Sequence, residues 1–291
     1  DSKNVRLVRG SHIVVNKLFD HDRSYICQND DNRIFFMIPY EDKFTLIGTT
    51  DIDHGQSAGK VEISEEEKLY ICKSANEYLN SEIGLNDIVW SYSGVRPLYD
   101  DGASKAQEAT RDYVIKAEQH ESSLLINIFG GKITTYRRLS EAILKHIEAF
   151  LGAKENPWTS DSTLPGGDIA VDGQIELQNK IQAKYPFLTK DIVKRLVRSY
   201  GTISFDILGN AENIESLGED FGSGLYENEV NYLIRKEWCR TSDDILFRRS
   251  KLGLTFSKTQ IKRLDEYIED SFNSREYSKN TQLNSKMAET V

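Results

Sequence analysis

Four cationic or titratable side chains stand next to apolar runs, and each is of a type that can do chemistry. His12, in RGSHIVV, follows a glycine at the start of a strand-like run, and an imidazole emerging at a sheet rim can act as a base. Arg96, in SGVRPLYDDG, closes another run beside Pro97, which is expected to fix the exit of the chain. Its planar guanidinium can then enter a cleft and fork onto a phosphate or carboxylate. Arg111, in EATRDYVI, opens the next run and offers a second cation. Lys132 follows Gly130 and Gly131 in IFGGKITTYRR, which reads as strand, glycine turn and helix start. Two glycines let backbone approach a ligand, and the first helical turn presents unpaired N–H groups to an anionic or polarised group. The run Gly48-Thr49-Thr50-Asp51 ends a further strand with two hydroxyls and a carboxylate. Each feature also has an ordinary reading: a solvent-facing ion pair for either arginine, a plain connection for Gly-Gly-Lys, a structural role for a lone histidine, and a turn for GTTD.

Such side chains need a rigid sheet to hold them. Residues 5–50 supply one, since VRLV, HIVV, SYIC, IFFMIPY and FTLIGTT are β-branched, aromatic and aliphatic runs broken by NDDN and EDK turns. An antiparallel meander is expected. Ser64 and Glu67 form a capping-box pattern ahead of KLYICKSANEYL, so one helix interrupts the strands. Strand patterns return at IVWSYSGVRPL and RDYVIKAE, with the loop DDGASKAQEAT between them. LLINIF then meets the glycine pair and a helical stretch, TTYRRLSEAILKHIEAFLG.

The polar, Pro- and Gly-containing stretch NPWTSDSTLPGGD, residues 156–168, has linker chemistry. Beyond it, residues 174–200, 227–238 and 257–270 carry apolar residues at helical spacing among charges. The fold class read from this is α+β. Its expected segments are an antiparallel sheet with a helix over 1–123, a strand and helix over 124–155, the linker, a helical domain over 169–273 and a mobile polar tail over 274–291. Mixed charge around Arg235, Lys236, Arg240, Arg248, Arg249 and Lys251 is read as ion pairing with Glu237, Asp243 and Asp244, and Trp238 is expected in the core.

A chain that is 38% hydrophobic can bury a core, while a net charge of −9 argues against a nucleic-acid binder, which needs a basic face. Cys27, Cys72 and Cys239 are far apart and show no CxxC spacing, so neither a disulfide framework nor a metal site is expected, and a reducing compartment fits. No apolar run long enough to span a bilayer occurs, which leaves peripheral attachment open.

The ordered set RGSHIVV, IPYEDKFTLIGTTD, WSYSGVRPLYDDG, EATRDY, FGGKITTYRRL and WTSDSTLPGGD resembles the aerobic, FAD-dependent glycerol-3-phosphate dehydrogenases. LYENEVNYLIRKEWCRTSDDILFRRSKLGL is similar to that family's carboxy-terminal domain, so the resemblance runs from about Val5 to about Leu264. It implies a flavoprotein that oxidises sn-glycerol 3-phosphate to dihydroxyacetone phosphate, passes hydride to FAD and hands electrons to a quinone at the inner face of the cytoplasmic membrane. It implies a proton-accepting role for His12, with Arg96 holding the substrate phosphate or polarising the oxygen at the reacting carbon. Lys132 falls beside flavin and substrate, and Arg111 near the phosphate. By the same matching Thr49 and Thr50 line the wall facing the isoalloxazine. Gly130, Gly131, Thr134 and Thr135 cover its pyrimidine edge or ribityl chain, in what the resemblance makes the closing strand and helix of an FAD domain.

Members of that family begin with a strand and a GxGxxG turn for the FAD pyrophosphate, and no such motif occurs here. The chain is therefore expected to be a fragment, inactive alone. Rival readings are a related FAD-dependent oxidase of glycerophosphate, amine or amino-acid substrates, and a non-catalytic truncated binding module. The oligomeric state is left open, a homodimer included.

Overall fold

A computed structural model of the chain describes residues 5–55, 59, 61–100, 102, 110–153 and 155–288, with side chains as far as Asn273. It divides into two compact units, Asp1–Ser160 and Asp161–Val291, and the break falls within the polar stretch 156–168. Most of the loop 101–109 lies outside the described residues.

In the first unit VRLV and HIVV join into one strand, β1 (Val5–Asn16), with Gly10 and Ser11 inside it. β2 (Tyr25–Gln28), β3 (Ile34–Tyr40), β4 (Phe44–Gly48) and β5 (Ile52–Asp53) follow. Helix α1 (Glu65–Asn76) begins at the expected capping box, in which Ser64 and Glu67 satisfy each other's backbone N–H. β6 (Ile88–Tyr99) then pairs with β1 along almost its whole length, from Val5↔Tyr99 to Val15↔Ile88. The order is β2-β3-β4-β1-β5, with β6 also on β1, and every pairing is antiparallel. Pro97 does not end its strand as expected, for it sits inside β6 opposite Leu7. Among the described strands β6 pairs with β1 alone, and a strand bonded on one side tolerates a residue without an N–H.

Side chains alternate across a sheet, so the two faces differ in character. Ile13, Val15, Cys27, Phe35, Met37 and Ile47 pack against Ile71, Cys72 and Ala75 of α1 as one buried cluster. His12 and Phe36, which alternate with them, and Tyr92, opposite His12, belong to the other face.

Glu67 ties α1 to the sheet. It is 3% exposed, accepts hydrogen bonds from Ser11 Oγ at 2.7 Å and Thr50 Oγ1 at 2.8 Å, and pairs with Arg9 Nη2 at 2.8 Å. Burial alone lifts its carboxyl, but the Ser64 N–H, the Ser11 and Thr50 hydroxyls and the Arg9 charge bring it below the ordinary range. A carboxylate held down in this way stabilises the fold above the unfolded-state pKa, and that stability is lost as pH falls through the folded one. Glu67→Ala leaves Arg9 without its carboxylate and takes an acceptor from the Ser11 and Thr50 hydroxyls, and is expected to cost about 3 kcal/mol in urea denaturation at neutral pH. The deficit relative to the parent chain should shrink toward acidic pH, and a pH-independent difference would assign the loss to packing instead.

β7 (Val114–His120) and β8 (Ser123–Phe129) form their own hairpin, and a 3-10 turn at Ile133–Thr135 leads into α2 (Tyr136–Leu151). The second unit is helical as expected: α3 (Gln174–Lys184), α4 (Lys190–Tyr200), α5 (Ser204–Leu208), α6 (Glu227–Lys236), a π-helical segment at Asp244–Arg249, and α7 (Lys258–Ala288). It also holds an unexpected hairpin of β9 (Asp220–Gly222) and β10 (Leu225–Tyr226), strands too short to show periodicity. Its core includes Ile181, Leu196, Phe221, Leu233, Ile245 and Leu264. The carboxylate of Glu229 is buried there against Arg195 at 2.6 and 2.7 Å and Tyr200 Oη at 2.7 Å, the partners a buried charge requires. For the tail expected to be mobile, the backbone of α7 continues to Ala288, while side chains beyond Asn273 and residues 289–291 lie outside those described. Trp238 is not in the core: it is 80% exposed, at a left-handed φ of 58° in the turn after α6. The expected ion pairs include Arg248 with Asp244 and Arg249 with Glu237, each at 3.0 Å, whereas Arg240 lies over the Phe272 ring.

Candidate active site

The open sheet face has a built-in gap. His12 stands opposite Gly48 on β4 and Tyr92 on β6, and its ring stacks on Tyr92 with centroids 5.0 Å apart and planes 7° from parallel. A Cβ at Gly48 would lie 2.8 Å from His12 Cγ, so only glycine leaves the ring its place. Two residues back along β1, Gly10 faces Gly94, and a Cβ at Gly10 would run into the Arg96 guanidinium. Arg96, itself opposite Val8, lies across β1 toward His12 in the space that the missing side chain of Gly10 leaves.

Arg96 is held by the loop after β4. Its Nη1 donates to Asp51 Oδ1 at 2.9 Å and its Nη2 to Thr49 Oγ1 at 3.5 Å. Arg111 Nη2 donates to the other oxygen of the same carboxylate, Asp51 Oδ2, at 2.9 Å. Thr50, between them in sequence, turns inward: it is 1% exposed, donates to Glu67 and accepts from the Ser11 N–H at 3.0 Å. It forms the base of the loop and not an exposed wall.

The glycine turn meets the far end of β6. Gly130 and Gly131 have φ of 66° and 96°, and a Cβ on Gly130 would sit 3.1 Å from the Asp112 carbonyl oxygen and 3.5 Å from the Tyr99 nitrogen. A side chain there would be both strained and crowded. Lys132 is exposed, 4.0 Å from the Asp112 carboxylate, and Thr135 bonds back to the Lys132 carbonyl, while Thr134 is exposed on the same turn. His12, Arg96, Arg111 and Thr49 thus gather around Asp51, with Lys132 and the glycines beside the end of the strand that carries Arg96.

Electrostatics prepare His12 as a neutral imidazole. Burial first, and then the Arg96 guanidinium, push it down to about 4 against an opposing pull from Asp51. Its Nδ1 is buried without a hydrogen-bond partner among the described residues. Tyr92 is pushed up by burial, with Arg96 opposing, so the phenol beside it keeps its proton. An uncharged base and forked cations, with half-buried glycine backbone at Gly130 and Gly131 nearby, suit a polar anionic substrate lying along the edge of a flat redox heterocycle such as a flavin. The orphaned Nδ1 and the side-chain-free row at Gly10 and Gly94 fit such an arrangement.

Asp51, Tyr92, Gly10 and Gly48 were not among the site residues expected from sequence. Asp51 was visible only as the end of GTTD. Tyr92 is four residues from Arg96 on one strand, a spacing that puts both on one face, and this was the signal available.

Residues 1–137 match the family described as FAD dependent oxidoreductase, and residues 158–276 match the C-terminal domain of alpha-glycerophosphate oxidase. An aerobic glycerol-3-phosphate dehydrogenase of Escherichia coli K12 is 40% identical over 91% of this chain and 53% of its own length. A D-erythritol 1-phosphate dehydrogenase of Brucella abortus is 38% identical over 93% of this chain and 54% of its own. The chain is similar in fold to the glycerol-3-phosphate dehydrogenase of Bacillus halodurans, solved with FAD, at a TM-score of 0.67 and 23% identity over 91% of this chain and 56% of that one. Along most of its length the chain is similar to aerobic glycerol-3-phosphate dehydrogenases, and it spans about half the length of the curated relatives it matches.

Proposed function

We propose that these residues form the substrate side of an FAD-dependent dehydrogenase that oxidises the C2 hydroxyl of sn-glycerol 3-phosphate to the ketone of dihydroxyacetone phosphate. The observation that carries this reading is the convergence of His12, Arg96 and Arg111 around Asp51 on one open sheet face. FAD, when bound, supplies the hydride acceptor. The chain's own groups do the rest: Arg96 and Arg111 hold the phosphate by charge-assisted hydrogen bonds, and His12 takes the proton of the C2 hydroxyl as C2 is oxidised. Lys132 adds a cation near the substrate, with Thr49, Gly130, Gly131, Thr134 and Thr135 toward the cofactor. Thr50 supports Thr49 from beneath.

Electrons leave to a quinone, with the protein peripheral on the inner face of the cytoplasmic membrane. Among the described residues no helix is long and apolar enough to cross a bilayer, and the exposed Trp238 offers an interfacial anchor. A second reading, a longer polyol phosphate as substrate, is favoured by the similar identity to the Brucella abortus protein.

The test is dye-linked oxidation, run on the whole native polypeptide that carries these residues, with flavin content measured alongside. The expected result is bound FAD and turnover of sn-glycerol 3-phosphate faster than of D-erythritol 1-phosphate. The reverse preference would establish the second reading. Oxygen consumption without added dye would replace the quinone by an oxidase reaction, and turnover of amines alone would overturn the phosphate assignment.

A further inference from the structure

We propose that Asp51 is a positioning residue of this site, its single carboxylate joining Arg96 and Arg111 into one anion receptor held beside His12. The inference rests on the phosphate-substrate reading above. Three chain segments meet at this carboxylate: the loop between β4 and β5 that carries Asp51, the strand β6 that carries Arg96, and the approach to β7 that carries Arg111.

Two guanidiniums brought together without a counter-charge repel each other and swing apart into solvent. Asp51 removes that repulsion by accepting from one guanidinium on each oxygen, at 2.9 Å in both cases. Its side chain is the most covered of the three, at 15% exposed against 32% for Arg96 and 44% for Arg111, so the carboxylate lies beneath and the cations lie outward. An arginine carries five donors in a fixed fork; Asp51 takes one from each guanidinium and Thr49 one more from Arg96, and the others supply the anion receptor.

The carboxylate is itself anchored. Its neighbour Thr50 donates to buried Glu67 and accepts from the Ser11 N–H, so the loop is bonded to β1 one residue before His12. Asp51 also opposes Arg96 in the field at His12. The charged groups facing the imidazole are therefore Arg96 from β6 and Asp51 from the loop after β4, with the stacked Tyr92 phenol as the titratable neighbour. An anion arriving at the arginines adds to the Asp51 side of that balance. Substrate binding and the basicity of His12 are thereby linked through one carboxylate, and the base strengthens when the phosphate is seated.

The experiment compares the parent protein with Asp51→Asn and Asp51→Glu, reading dye-linked turnover on sn-glycerol 3-phosphate and the NMR titration of the His12 ring with and without inorganic phosphate. Asp51→Asn is expected to raise KM for sn-glycerol 3-phosphate by about tenfold, because a dispersed receptor binds the phosphate less well, and to lower kcat by about tenfold to a hundredfold, because the substrate is misplaced beside His12. Phosphate should raise the His12 titration midpoint in the parent and move it less in Asp51→Asn, and Asp51→Glu should recover part of both effects. Unchanged kcat, or a kcat loss that matches loss of folded protein in a thermal melt, would overturn the proposal. If the parent protein oxidises no polyol phosphate, the functional reading fails. The phosphate-dependent movement of His12 still decides for or against Asp51 in that case.

Discussion

His12→Gln is expected to lower kcat on sn-glycerol 3-phosphate by about 10²- to 10⁴-fold, the range for removing a positioned general base. KM should move little, because the phosphate contacts proposed for Arg96 and Arg111 remain and the glutamine amide can keep a polar contact. The parent imidazole should titrate near 4 by NMR in the free protein, since burial and Arg96 both disfavour its cation. Its folded value lies below its unfolded one, so the native state prefers the neutral ring. The resulting stability is fully present above about pH 6.5 and declines as pH falls toward 4, where the folded form too takes the proton. His12→Gln should flatten the stability profile between those limits while leaving the Glu67 contribution at lower pH in place. A parent ring that titrates at an ordinary histidine value would remove the electrostatic basis for the assignment. A substituted protein with undiminished kcat would remove His12 from the chemistry.

The meander, the capping box of α1 and the helical second unit were legible because each rests on local pattern: period-two apolar runs, Ser64 three residues before Glu67, and apolar residues at helical spacing. Errors arose where tertiary context overrode local chemistry. Gly10 and Ser11 look like a break between VRLV and HIVV, yet their extended backbone is satisfied by β6 on one side. The reason for a glycine there is Arg96, which lies 86 residues away and whose position no local pattern reports. Pro97 reads as a strand end, but a strand paired on one side accepts it. Trp238 reads as a core residue by type, but the sharp turn after α6 turns it outward.

The site was half visible in the same way. Cations and a histidine announce themselves by type, and the family resemblance ordered them. Asp51 did not stand out, because a carboxylate at the end of GTTD looks like any turn residue until Arg96 and Arg111 are seen on its two oxygens. Thr50 looks equivalent to Thr49 in sequence, and only the folded loop after β4 separates the hydroxyl that bonds the Thr50 carbonyl from the one bonded to Glu67.

Arg96→Lys is the substitution that separates charge from shape at this site. Lysine keeps the positive charge but loses the fork, so it cannot bond Asp51 and a phosphate oxygen at the same time with fixed geometry. Its ammonium would also lie in the space that Gly10 leaves for a planar guanidinium, which a tetrahedral group fills poorly. The expected result is a fall in kcat/KM of about 10²- to 10³-fold, comparable to removing one preorganised donor from a developing charge. The His12 midpoint should stay close to that of the parent, because the Coulombic effect of a cation is retained. Arg96→Ala, by contrast, should raise the His12 midpoint, since the charge that opposes imidazolium is gone and Asp51 remains. If Arg96→Lys retained most of the parent kcat/KM, a point charge would be sufficient. Gly10 would then need another reason than the accommodation of a planar group.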